Sequence, residues 1–184
     1  MRGSSRLAVE RRRDIVAGAA ACAAAAALVA AVSAAVIAVS GLADDVRRTL
    51  RFGFGGLERT PAEVLRIAAH NARFAAGTLL CAVLAPRLPR RTRAIVALML
   101  ATVLAFNAAA VGIALGAYGE RVAAAIALHL PVEFAALSVA GGAYLSTSTR
   151  ALSPAELLYV AVLCLLLLVV AATLEAYLPL GGIR

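Results

Sequence analysis

Five long apolar stretches, separated by short arginine clusters and by prolines, set the plan of this chain. The first runs from Ile15 to Val39 without a charge. The second, Pro61 to Ala85, is closed by Pro86; its first half carries Glu63, Arg66, His70 and Arg73 along one face, which could lie flat in the interface or insert with that face turned into the bundle. The third spans Ala94 to Tyr118, the fourth Val122 to Leu145 and the fifth Ala155 to Leu178. Each exceeds the roughly 20 residues with which an α-helix crosses a bilayer. The pattern predicts an all-α, polytopic transmembrane bundle of about five spans, a single integral membrane domain over residues 1–184. Two helix starts are written out in full. Thr60-Pro61-Ala62-Glu63 and Ser153-Pro154-Ala155-Glu156 each place an N-cap hydroxyl, a first-turn proline and a glutamate three residues on.

Composition agrees with the pattern. Of 184 residues 63% are hydrophobic and mean hydropathy is +0.92, against about 45–50% apolar residues in soluble domains. The apolar run from Ile15 is too long for a signal-peptide core and reads as an uncleaved anchor. All 18 basic residues are arginine, and the net charge is +8. They cluster at segment ends, which fits topology control and an anionic membrane surface rather than nucleic acid. Arg2, Arg6 and Arg11 to Arg13 place the N-terminus in the cytoplasm. Arg87, Arg90, Arg91 and Arg93 place the loop after the second segment there too. Two cytoplasmic loops require an even number of crossings between them, so the second segment must cross. The stretch from Gly41 to Arg59, with its RFGFGG, is then external, and the location is the cytoplasmic membrane.

Ionisable residues inside the spans are the candidate functional set. His129 and Glu133 stand one helical turn apart, and an acid at mid-span costs about 2.5–3.5 kcal/mol on insertion scales. At 1.5 Å per residue, His70 and Arg73 lie about 13 and 18 Å below Pro61. His129 and Glu133 lie about 12 and 18 Å below Arg121, and Asn107 about 16 Å below Tyr118. The second, third and fourth helices thus bring polar groups to one level, with Glu175 higher, near Arg66 and Arg121. Arg73 is expected to face Glu133, since each is otherwise a buried lone charge, with Asn107 bonded into the same cluster. Pro131 is expected to kink the fourth helix and free the carbonyl of Ala127.

Small residues mark where helices touch. Gly112-x-x-x-Gly116 is a close-packing pattern, and Gly141-Gly142 serves the fourth helix in the same way. Packing within the molecule is the first expectation, and a homo-oligomer the second. Cys22, Cys81 and Cys164 sit apart in apolar segments, with neither disulfide nor metal-ligand spacing. HLPVE has a His and a Glu at ligand spacing but lacks the second histidine of the zinc-protease helix. No Gly-x-Ser-x-Gly elbow occurs, and RFGFGG lacks the Lys and Ser/Thr of a phosphate-binding loop. No catalytic residue, metal or cofactor is expected.

Four ordered motifs resemble the stage II sporulation protein M family of bacterial integral membrane proteins. HNARFAAGTLLCAVL is similar to the family's asparagine-led helix, here at Asn71. FNAAAVGIALGAYGE follows, with Asn107 and its glycines. HLPVEFAALSVAGGAYLS is similar to the His-Gly-x-x-Glu helix, with Leu130 where the family usually has glycine. AATLEAYL is similar to the family's Ile-Glu-Ala ending, at Glu175. The resemblance covers about Ala69 to Leu178. It implies a non-enzymatic membrane scaffold that works with cell-wall-remodelling enzymes, such as a peptidoglycan hydrolase and an amidase during sporulation. The expected partners are the lipid bilayer and other membrane or cell-wall proteins. The alternative is a small transporter or channel component whose polar residues line an intramembrane path.

Overall fold

The computed structural model describes residues 2–51, 59–148 and 150–177, with side chains from Arg12 onward. Most of RFGFGG, Leu178, and the side chains of Arg2, Arg6 and Arg11 lie outside the described residues. The described chain is helical throughout: α1 (Arg2–Ser40), α2 (Ala43–Leu50), α3 (Pro61–Leu84), α4 (Arg90–Tyr118), α5 (Glu120–Ile126), α6 (Leu130–Ser146) and α7 (Pro154–Tyr177). A short 3₁₀ turn, Ala85–Arg87, closes α3 at Pro86. By length and apolar composition α1, α3, α4 and α7 can each cross a membrane, and the pair α5 and α6 can form a fifth, broken crossing. The chain is a multi-pass membrane protein.

The predicted starts of α3 and α7 are present, with a difference. At α7 the box is closed in both directions: Glu156 N–H donates to Ser153 Oγ (3.2 Å), and Ser153 N–H donates to Glu156 Oε2 (2.8 Å). Arg150 clamps the same carboxylate through two nitrogens at 2.9 and 2.8 Å. At α3 the Glu63 N–H donates to Thr60 Oγ1 (3.2 Å), but the Glu63 carboxylate turns down the helix to Arg66, at 2.8 and 2.6 Å.

The fourth predicted segment is not one helix. Its chain breaks at residues 127–129, and α5 and α6 are bent by 62°. Pro131 has no N–H for the carbonyl of Ala127, and its ring clashes with that carbonyl in a continuous helix. It sits instead in the first turn of a new helix, where a missing N–H costs nothing. Gly119, at φ +58°, makes the sharp turn between α4 and α5.

Helix α1 packs one face, marked by buried Ile15, Ala26 and Ile37, against α6 near its start and against α4 near its end; α3, α6 and α7 pack on one another. Its alanines and Gly18 allow close approach. A Cβ added to Gly112 would lie 2.2 Å from Ala30 O, and one on Gly116 would lie 2.5 Å from Ala34 O. One on Gly142 would meet Ile15 O and Ala19 N at 2.4 Å, and one on Gly141 would meet Cys22 Sγ at 2.9 Å. Both predicted glycine pairs therefore serve packing within the molecule, and both use α1. The main core is aliphatic: Leu79, Leu137, Val160, Cys164 and Leu168 with buried alanines. Cys164 acts as a small hydrophobe, its thiol donating to Ala136 O at 3.3 Å.

Arginines separate the two ends of the bundle. Arg12 stacks over the Tyr159 ring at 5.4 Å, and Tyr144 Oη donates to Arg93 O at 2.9 Å. The start of α1, the end of α3, the start of α4, the end of α6 and the start of α7 thus share one end, which carries Arg12, Arg13, Arg87, Arg90, Arg91, Arg93 and Arg150. At the other end Arg47 and Arg48 of α2 bond Asp44 and Asp45. Arg47 Nε also donates to Ala117 O at 2.6 Å, which docks α2 on the end of α4.

Candidate functional site

Helical geometry decides which polar groups meet. Asn71 and Arg73 are two residues apart on α3, about 200° around its axis. If one faces α6, the other must face away. Asn71 is the one turned inward, half-buried and near the carboxyl of Glu133 on α6. Arg73 is exposed on the opposite side and has no ion pair among the described residues. The expected Arg73–Glu133 pair is not formed. His70, about 60° from Arg73 around the helix, shares the outward face and is exposed.

Asn107 does not join the expected cluster, because α4 packs along α1 and not against α7. Asn107 is exposed, and its Nδ2 donates to Val103 O of its own helix at 2.8 Å. The cluster that does form joins α3, α6 and α7 toward the end opposite the arginine-rich one. Glu175 lies within electrostatic reach of His129, Glu133 and Arg66. The position of Glu175 beside Arg66 agrees with the estimate of its depth from sequence. His129 precedes the first turn of α6, and its carbonyl accepts the Glu133 N–H at 3.0 Å. The break before Pro131 sets both side chains at the head of α6 rather than deep in a continuous span.

The polar face of α3 that the sequence spaces out, Arg66, His70 and Arg73, turns outward and not into the bundle. Gly77 continues it one turn on, and its missing Cβ would meet nothing within 4 Å. One arrangement has no signal in the sequence: a lateral crevice of about 260 Å³ between α1, α3, α4 and α6, walled by Ala25, Val29, Phe74, Leu100, Leu104 and others. None of His129, Glu133 or Glu175 lines it. Among the described residues no three His, Cys, Asp or Glu side chains converge as a metal site requires. Comparison with known protein families, with curated proteins and with solved structures finds no match.

Proposed function

We propose that this chain is a non-enzymatic scaffold of the cytoplasmic membrane that holds partner proteins, cell-wall-remodelling enzymes among them, with its arginine-rich end in the cytoplasm. The observation that carries the reading is Arg73. It stands near the middle of a 24-residue helix, about 16–18 Å from either end, and faces away from its own bundle. A cation so placed costs about 2.5–3.5 kcal/mol on insertion scales, and it is too far from the helix ends to reach water by snorkelling.

A second copy is a poor cover for it. Two α3 faces set together would oppose Arg73 to Arg73. Glu63 is paired with Arg66 and Glu156 with Arg150, while Glu133 and Glu175 lie half-buried where α3, α6 and α7 meet, away from the face of Arg73. A different membrane protein with an acidic group in its span meets the need. Gly77, one turn below, gives such a helix room to approach. A permeation path is less favoured, because the ionisable cluster is divided from the apolar crevice.

The test pairs two measurements. In liposomes the wild-type chain is expected to pass no more protons or ions than empty vesicles do. In native membranes Arg73→Leu is expected to keep its abundance and lose co-purification of a cell-wall hydrolase. Flux that depends on Glu133 would overturn the proposal in favour of transport.

A further inference from the structure

The apolar crevice does not end blind. Toward the arginine-rich end it shares Ala97, Tyr144 and Leu145 with a second cavity of about 350 Å³, whose lining is mixed. Its lining adds Arg90, Arg93, Thr147 and Ser148. Arg90 and Arg93 have no ion pair or side-chain hydrogen bond among the described residues. Glu156, the carboxylate in the first turn of α7, is clamped by Arg150. An uncompensated cationic mouth therefore opens directly onto an apolar slot.

The slot is shaped for a hydrocarbon chain. From Ala97 to Ala105 its wall on α4 extends about 12 Å, and Cys22, Phe74 and Leu137 close its back. Ala21, Ala25 and Ala101 on its rim are exposed, so it opens sideways, where lipid tails lie. Alanine on α1 leaves the slot open, where leucine would fill it. The mouth lies at the membrane surface end of α4, the level of a phospholipid headgroup. Tyr144 stands at the junction, but its hydroxyl already donates to Arg93 O; this fixes α4 to α6 and holds Arg93 over the opening.

We propose that the two cavities form one binding site for an anionic phospholipid, its phosphate held by Arg90 and Arg93 and one acyl chain lying in the slot between α1 and α4. Arginine presents a planar fork to phosphate oxygens, and Ser148 lies in the same cavity as a further donor. The site is distinct from the outward face of α3 and does not depend on what covers that face.

The test uses the purified full chain with palmitoyl-oleoyl phosphatidylglycerol, with phosphatidylcholine of the same chains, and with water-soluble glycerol phosphate. Retained lipid is read by native mass spectrometry and melting temperature. Phosphatidylglycerol is expected to be retained about thirtyfold over phosphatidylcholine, as two cationic side chains at a headgroup imply. The Arg90→Gln/Arg93→Gln pair should remove the preference. Ala101→Phe, at an exposed rim position, should lower retention of both lipids with the arginines intact. A photoreactive acyl chain should label Ala101 and Leu104 over the outward residues Leu165 and Leu166, a readout that needs no variant to fold. Equal retention of the two lipids would overturn the proposal. So would phosphatidylglycerol retention untouched by Ala101→Phe, which means adsorption to arginine alone. Competition by glycerol phosphate at equal concentration would mean a site for free anions, and uniform labelling would mean ordinary solvation by lipid.

Discussion

Gly112 of α4 rides on the backbone of α1 at Ala30, so closely that a methyl group on its Cα would stand 2.2 Å from the Ala30 carbonyl oxygen and 2.8 Å from Ser33 Cβ. Backbone cannot yield as a flexible side chain can. Gly112→Ala is therefore expected to destabilise the bundle by about 1–3 kcal/mol through separation of α1 and α4. Gly77→Ala, with open space at its Cβ, is expected to stay within about 0.5 kcal/mol of wild type. Unfolding of the two variants in the same detergent, read by helical signal, checks both.

Asn71 and Glu133 lie near each other between α3 and α6, and Arg73 faces away from both. A double-mutant cycle on Asn71→Ala and Glu133→Ala is expected to show coupling of about 0.6 kcal/mol, the average for hydrogen bonds between membrane helices. The cycle on Arg73→Ala and Glu133→Ala is expected to be additive within about 0.5 kcal/mol. Coupling in the second cycle with none in the first would reverse the assignment.

Glu156 serves three groups at the head of α7: the Ser153 N–H and two nitrogens of Arg150. Its replacement by alanine is expected to cost about 1–2 kcal/mol, in the range of a lost N-terminal cap. Glu156→Gln keeps an acceptor for the Ser153 N–H and should lose less. Thermal unfolding of the two variants side by side gives the order.

Ser138 is nearly fully buried in α6, and its hydroxyl finds no hydrogen-bond partner among the described residues. An unsatisfied polar group in an apolar core is a cost rather than a support. Ser138→Ala is expected to leave stability unchanged or raise it, by melting temperature in detergent. A clear loss would show that the hydroxyl has a partner in the membrane.

Much of the architecture is legible in the sequence. The span positions, the closure at Pro86 and the N-cap hydroxyls of Thr60 and Ser153 follow from local chemistry, although Arg66 draws the Glu63 carboxylate away from the first of these caps. The effect of Pro131 was foreseen as a kink; its size, a break that splits the segment, depends on what α6 packs against once it is free to turn. The arrangement of helices was not legible. Period and composition show that α1 is apolar, but not that one face of it takes both α6 and α4. Nor do they show that α4 stays away from α7, which is why Asn107 does not join the cluster. Arg73 was misdirected by a different rule, that intramembrane charges pair within the chain. The 200° between Asn71 and Arg73 was in the sequence and showed that both could not face α6. The glycine patterns were read correctly, but their counterpart, Ala30-x-x-x-Ala34, was hidden among so many alanines.

The claim that the outward face of α3 meets another protein is tested most directly by a photoreactive side chain placed at position 77, with a second at position 106 on exposed α4 as reference, irradiated in native membranes. The proposal predicts crosslinks from position 77 to a different membrane protein, lost on Arg73→Leu, and no comparable product from position 106. Crosslinks from position 77 to lipid only, or to a second copy of the same chain, would contradict it.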